Sequence, residues 1–204
     1  PTMEQTRLRV LFLSNVPSPY RVEFFNTLSR DCDLTVLYQL PASTERDKKW
    51  TAESLPGYTQ VYLKGRATNA DKAICPGVLS WLNREWDAIV ICGNASPTEL
   101  LAIAWCKFRR IPYCLEADGA FAGSGIGIKE FIKTRAIRGA GMYLSTCREL
   151  DQYFLRYGAD PRRLRRYHFS SLTEEDILPA CPTREEKRQL RARLGIREEK
   201  MILS

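Results

Sequence analysis

Residues 8–28 read LRVLFLSNVPSPYRVEFFNTL, and the reading of this run decides the fold. Leu8 to Leu13 is an apolar run, which predicts a buried strand. After Ser14, Asn15 and Val16 the chain turns helical over Pro19–Ser29, with Val22, Phe24, Phe25 and Leu28 as apolar partners. Ser18 is placed to cap that helix. Pro19 fits its first turn, where a missing N–H costs little. Such a junction aims backbone N–H groups and the positive end of a helix dipole beyond the sheet. In open α/β sheets this edge is where ligands bind. Arg21 stands about where a capping box would place Glu or Gln, and a cation there opposes the dipole. Two explanations stand: Arg21 faces an anionic ligand, or it pairs with a carboxylate such as Glu23 or Asp47. On the first, Arg21→Ala lowers activity and leaves folding intact.

Outward from this junction, strand and helix signals alternate, which predicts an α/β, Rossmann-like domain with a mostly parallel sheet flanked by helices. Strands are expected at Asp33–Tyr38, Tyr58–Leu63, Asp87–Cys92, Pro112–Glu116, Met142–Ser145 and Arg165–Phe169. The run Asp87–Cys92 (DAIVIC) is continuously apolar, as a strand covered on both faces requires. Helices are expected over Gly77–Glu85, after the capping box Ser96-Pro97-Thr98-Glu99, around Lys129–Arg138, after a second box at Thr146–Glu149, and after a third at Thr183–Glu186. Leu40–Pro56 reads as a long polar loop. Lys200–Ser204 begins another apolar strand. The organisation expected is a domain over 1–182, then a linker helix and the first strand of a further domain over 183–204.

Apolar content of 44% and charged content of 27% fit a globular protein and exclude disorder. No apolar run approaches the ~18–20 residues of a membrane span. The opening residues hold no apolar signal core, so a cytoplasmic protein is expected. The cysteines number seven, with no Cys-x-x-Cys pair, which predicts free thiols in a reducing compartment and no zinc site. The net charge of +7 admits phosphorylated, lipid or nucleic-acid partners. No nucleic-acid-binding motif accompanies it, and nucleic acid is not expected.

Candidate binding groups cluster at the predicted strand ends. Asn15, Tyr20 and Arg21 lie in the first loop. Asn94 and Ser96 lie in the small-residue turn Gly93–Ser96, where a ligand can approach a helix N-terminus. Glu116 and Asp118 end a strand two residues apart, on one face if the strand persists, and carboxylates there can hold sugar hydroxyls or move protons. For Glu116 the simpler role is a salt bridge, so Asp118 is the candidate. Gly123–Gly127 fails the dinucleotide fingerprint, because a third glycine would fall at Ile128; NAD binding is rejected and a mobile lid is expected instead. Lys129, Lys133, Arg135 and Arg138 share a helix with Ile128, Phe131, Ile132 and Ile137, a pattern suited to an anionic membrane surface. His168, the only histidine, has no nucleophile motif to serve and reads as structural.

Four stretches together carry a family resemblance: LFLSNVPSPYRVEFFNTLSRDCDLTVLY, ICGNASPTELLAIAWCKFRRIPYCLEADGAF, MYLSTCRELDQYFLRYGADPRRL and RARLGIREEKMILS. In this order they resemble the N-terminal half of family 4 glycosyltransferases of the GT-B fold. The resemblance implies a retaining, metal-independent glycosyltransferase without cofactor, with a nucleotide-sugar as donor and a glycan or lipid-linked acceptor. It implies surface polysaccharide synthesis at the cytoplasmic membrane face. It also implies that this domain supplies the acceptor side of a two-domain cleft and is inactive alone. Carried over by position, Asn15–Arg21 match the first loop, Asp118 the position facing the transferred sugar, and Ser96 and Thr146 helix starts on the cleft. Many members have glycines where this first loop has prolines, which shifts weight from a backbone contact to Arg21. Two alternatives remain open: a nucleotide-sugar epimerase of the same fold, and a non-catalytic domain that binds phosphate or nucleic acid.

Overall fold

The computed structural model describes residues 7–42, 57–120, 127–168 and 177–197. They belong to two compact units, divided after residue 171.

The first unit is built on a parallel sheet. Its strands are β1 (Arg9–Ser14), β2 (Asp33–Tyr38), β3 (Thr59–Tyr62), β6 (Ala88–Cys92), β7 (Cys114–Ala117), β8 (Met142–Ser145) and β9 (Leu164–Arg166). Their spatial order is β3-β2-β1-β6-β7-β8-β9, seven strands with every pairing parallel. The expected Rossmann-like α/β class is observed. The chain builds outward from β1 first to one side and then to the other, so β1 and β6 flank the topological switch point, where open sheets of this kind bind ligands.

The alternation of side chains explains why both faces are covered. Leu11, Leu13, Leu37, Ile89 and Ile91 enter one apolar cluster. Phe12, Leu34, Val36, Tyr38 and Val90 enter the other. Phe12 lies opposite Val36 on β2 and Val90 on β6, so the central register fixes both layers at once. Helix α1 (Pro19–Leu28) seals the second face with Phe25, and α3 (Pro97–Arg109) seals the first with Ala102, Ile103 and Cys106. Helices α2 (Val78–Leu82), α4 (Ile128–Ile137) and α5 (Arg148–Arg156) complete this unit.

Three local expectations change. Ser18 stands at the N-cap of α1 but makes no side-chain cap; its carbonyl instead accepts from Arg21 N and Val22 N. The box expected from Thr146 does not form, because Cys147 takes the N-cap of α5 without a side-chain cap. Residues 66–74, left unassigned by pattern, form an antiparallel hairpin of β4 (Arg66–Asn69) and β5 (Lys72–Ile74). All seven cysteines are free.

The second unit contains α6 (Arg184–Arg193), opened by the expected capping box: Thr183 Oγ1 accepts from Glu186 N, and Glu186 Oε2 accepts from Thr183 N. Gly195 ends it at a φ of +67°, in the left-handed region that favours glycine. Residues 43–56 of the loop expected at 40–56, with Asp47 among them, residues 123–126 of the glycine-rich run 123–127, and the strand expected at 200–204 lie outside the described residues. None of the helices described is long and apolar enough to cross a membrane.

Candidate functional site

Four strand ends meet at one cleft. Ser14 and Asn15 come from the end of β1 and just past it, Cys92 to Ala95 from the end of β6 onward, Glu116 to Ala120 from the end of β7 onward, and Thr146 follows β8. Tyr20, Arg21 and Glu99 join from helices, and Asp71 and Lys72 from the β4–β5 hairpin. The cleft encloses about 810 Å³, enough for a sugar nucleotide or an oligosaccharide unit. Of the residues picked from sequence, Asn15, Tyr20, Arg21, Asn94, Asp118 and Thr146 all line it. Ser96 does not: it is fully buried, and its hydroxyl caps α3 by accepting from Glu99 N.

Arg21 forms the floor, and of the two sequence readings the ion pair holds in kind, with the buried Glu116 in place of Glu23 or Asp47. Nη1 and Nη2 donate to the two Glu116 oxygens at 3.1 and 2.8 Å, a bidentate pair. Arg21 is 4% exposed and Glu116 2% exposed, so the charge that opposed the helix dipole is neutralised inside the protein. Nη2 also donates to Cys92 Sγ at 2.9 Å, and Tyr167 Oη donates to Glu116 at 2.5 Å. The guanidinium rests near the rings of Phe24 and Phe25. Burial works against the Arg21 charge, but Cys92, Glu116 and Tyr167 outweigh it and hold the pKa well above the ordinary value. Burial also pushes the Cys92 thiol and the Tyr167 phenol up, and the Glu116 charge adds to both. Both groups therefore stay protonated at neutral pH.

Beside the floor, Glu99 organises the wall. Its Oε2 accepts from Ala95 N and Ser96 N at 2.8 and 2.9 Å, and its Oε1 accepts from Gln39 Nε2 at 3.0 Å. Gly93 makes the turn above it with a φ of +105°. A Cβ at Gly93 would sit 2.9 Å from Glu99 Oε2, so only glycine lets the loop lie on this carboxylate.

The upper cleft carries groups suited to hydroxyls. Tyr20 Oη donates to Asp118 Oδ2 at 3.2 Å. Burial, then the Asp118 charge, raises the Tyr20 pKa, so the phenol remains a donor. Asn94 Oδ1 accepts from Tyr153 Oη at 3.1 Å, while its Nδ2 is buried with no partner among the described residues. An unmet buried donor costs about 1–3 kcal/mol, a cost that a ligand oxygen would remove. Among the described residues no group of three or more His, Cys, Asp or Glu could hold a metal ion.

Sequence reasoning missed Glu99, Gln39, Cys92, Tyr167, Asp71 and Lys72. Only Glu99 carried a signal, as the acid of a capping box. The others meet the site through pairings remote in sequence.

No protein-family model matches the chain, and no curated protein matches it. Solved structures do. HepE from Anabaena in complex with UDP aligns at 12% identity and a TM-score of 0.59, over 92% of this chain and 50% of that one. HepE in complex with UDP-glucose aligns at 13% identity and a TM-score of 0.58, with the same shares. UDP-N-acetylglucosamine 2-epimerase from Rickettsia bellii aligns at 12% identity and a TM-score of 0.48, over 80% and 45%. The chain thus spans about half the length of the structures it matches. Its fold is that of one Rossmann-like half of a GT-B architecture.

Proposed function

We propose that the chain is the acceptor-side domain of a retaining, family 4-like glycosyltransferase. In this reading the whole enzyme transfers a sugar from a nucleotide-sugar to a glycan or lipid-linked acceptor in surface polysaccharide synthesis. The observation that carries it is the cleft at the carboxyl ends of β1, β6, β7 and β8, on a fold that aligns with half of HepE, itself solved with UDP and with UDP-glucose. Asp118 and Tyr20 would bind sugar hydroxyls, with Asn15, Asn94 and Thr146 around them. Ser96 would act from beneath, by holding the loop before α3. Arg21 would act through Glu116 as a positioning residue, because its charge is already met.

Helix α4 supports a place at an anionic membrane face on the cytoplasmic side. Ile128, Phe131 and Ile132 are 76%, 65% and 43% exposed on the helix that carries Lys129, Lys133, Arg135 and, at its end, Arg138. Lys133 is paired with Glu130 at 3.3 Å, so Lys129, Arg135 and Arg138 would carry most of the attraction.

The test is sugar transfer by the 204-residue chain alone and by a protein that also contains a second Rossmann-like half. Transfer only by the longer protein is expected, since the transition state needs groups from both sides. Turnover by the chain alone overturns the split cleft. Interconversion of a UDP-sugar without an acceptor replaces transfer with epimerisation.

A further inference from the structure

Three helix N-termini and the buried arginine are met or blocked by the domain's own groups. The α3 N-terminus is closed by Ser96 and by the Glu99 carboxylate. The α5 N-terminus carries Glu149 and Asp151 in its first turn. The α1 N-terminus has Pro19 in its first turn, which offers no N–H there. Arg21 is consumed by Glu116. Lys72 is the other cation lining the cleft, and it makes no ion pair among the described residues.

Lys72 is also held in place. It opens β5, and the next residue, Ala73, is fully buried. Thr98 Oγ1 donates to Ala73 O at 2.6 Å and accepts from Cys75 N at 2.9 Å. Gln39 Oε1 accepts from Ala73 N at 3.4 Å, and its amide ties on to Glu99. A Cβ at Gly65 would lie 2.3 Å from Ile74 O, so the hairpin closes tightly on its own base. The strand is therefore fastened to α3 and to the end of β2, and Lys72 projects from a fixed backbone.

Resting on the transferase reading, we propose that the hairpin tip is a subsite for a phosphorylated sugar. Lys72 takes the phosphoryl group. The carboxylates of Asp71, beside it, and Asp118, on the same cleft, accept from the sugar hydroxyls. Those two acids also repel a bare anion, so a ligand that presents phosphate and hydroxyls together fits better than phosphate alone.

The experiment titrates the 204-residue chain with glucose 1-phosphate, inorganic phosphate, glucose and UDP, following backbone amides by NMR. Glucose 1-phosphate is expected to shift Lys72 and Ala73 amides and to bind more tightly than phosphate or glucose. Lys72→Gln should weaken it by about tenfold or more, the scale of one charge-assisted contact. Lys72→Arg should retain it, and both variants should keep the wild-type spectrum elsewhere. UDP shifting the same amides assigns the phosphate to the donor; glucose 1-phosphate alone doing so assigns it to the acceptor. Unchanged affinity in Lys72→Gln, or shifts confined to residues remote from the hairpin, overturns the subsite. Transfer by the longer protein without dependence on Lys72 refutes the subsite alone. Loss of transfer with Lys72-dependent binding intact refutes the transferase alone.

Discussion

Removing the Arg21 side chain should damage stability as well as activity, which reverses the expectation drawn from the sequence. The pair with Glu116 is bidentate and nearly solvent-free. Taking away one partner strands a buried carboxylate, a change that typically costs about 3–5 kcal/mol. For a chain of this size, at roughly 2–4 °C per kcal/mol, the melting temperature should fall by roughly 6–20 °C. The reverse change, Glu116→Leu, strands the guanidinium and should cost a similar amount. Replacing both, as Arg21→Met with Glu116→Leu, removes charge and countercharge together. Buried pairs exchanged for apolar side chains of similar volume come out near neutral, so the double variant should recover most of the loss. Urea unfolding followed by far-UV circular dichroism at pH 7 measures all four corners of the cycle, with thermal scans as a check. If Arg21→Met costs less than about 1 kcal/mol, or if the two single losses simply add, the pair is not the buried, mutually dependent unit described above.

Other expectations follow from single contacts. Gly93→Ala forces a side chain into a φ of +105° and against Glu99; a loss of roughly 1–3 kcal/mol in chemical denaturation is expected. Asp151 is partly buried, which alone would raise its pKa, but hydrogen bonds from Ser145 and Arg166 outweigh this and lower it. Its stabilisation is therefore complete above the ordinary aspartate value of about 3.9 and fades as pH falls through the lower folded value; Asp151→Asn should flatten the acid limb of a stability–pH curve. Phe131→Asp with Lys129→Glu should abolish co-sedimentation with vesicles rich in anionic lipid while leaving the melting temperature within about 2 °C, and unchanged sedimentation would remove α4 from any membrane role.

The fold was legible in the sequence wherever one strand or one capped helix carried its own signal. Asp33–Tyr38 and Met142–Ser145 have the bounds that their apolar runs dictate, and the boxes at Ser96 and Thr183 form as their spacing requires. The failures have separate causes. The residues of β4 and β5, RATN and KAI, have no alternation to read, because the hairpin is stabilised by Thr98 and Gln39 from other elements. The Thr146 box fails because α5 begins one residue later, at a backbone position where Cys147 supplies no cap.

The site divides along the same line. Sequence located the cleft, since strand ends and the junctions after them are local features, and six of its chosen residues line it. It could not assign roles, because role depends on what a side chain meets. Arg21 looked like a ligand-binding cation only as long as Glu116, 95 positions away, was not beside it. Once that pair is formed, the floor of the cleft is electrically closed, and a charged ligand must be recognised at the rim. The rim's open charges are Lys72 and Asp71, on the element that pattern reading passed over. A cleft built this way keeps its rigid, solvent-free charges for holding strands and helices in register. On the proposed reading, selection among substrates falls to the hairpin that carries Lys72, whose backbone is tied to Thr98 and Gln39.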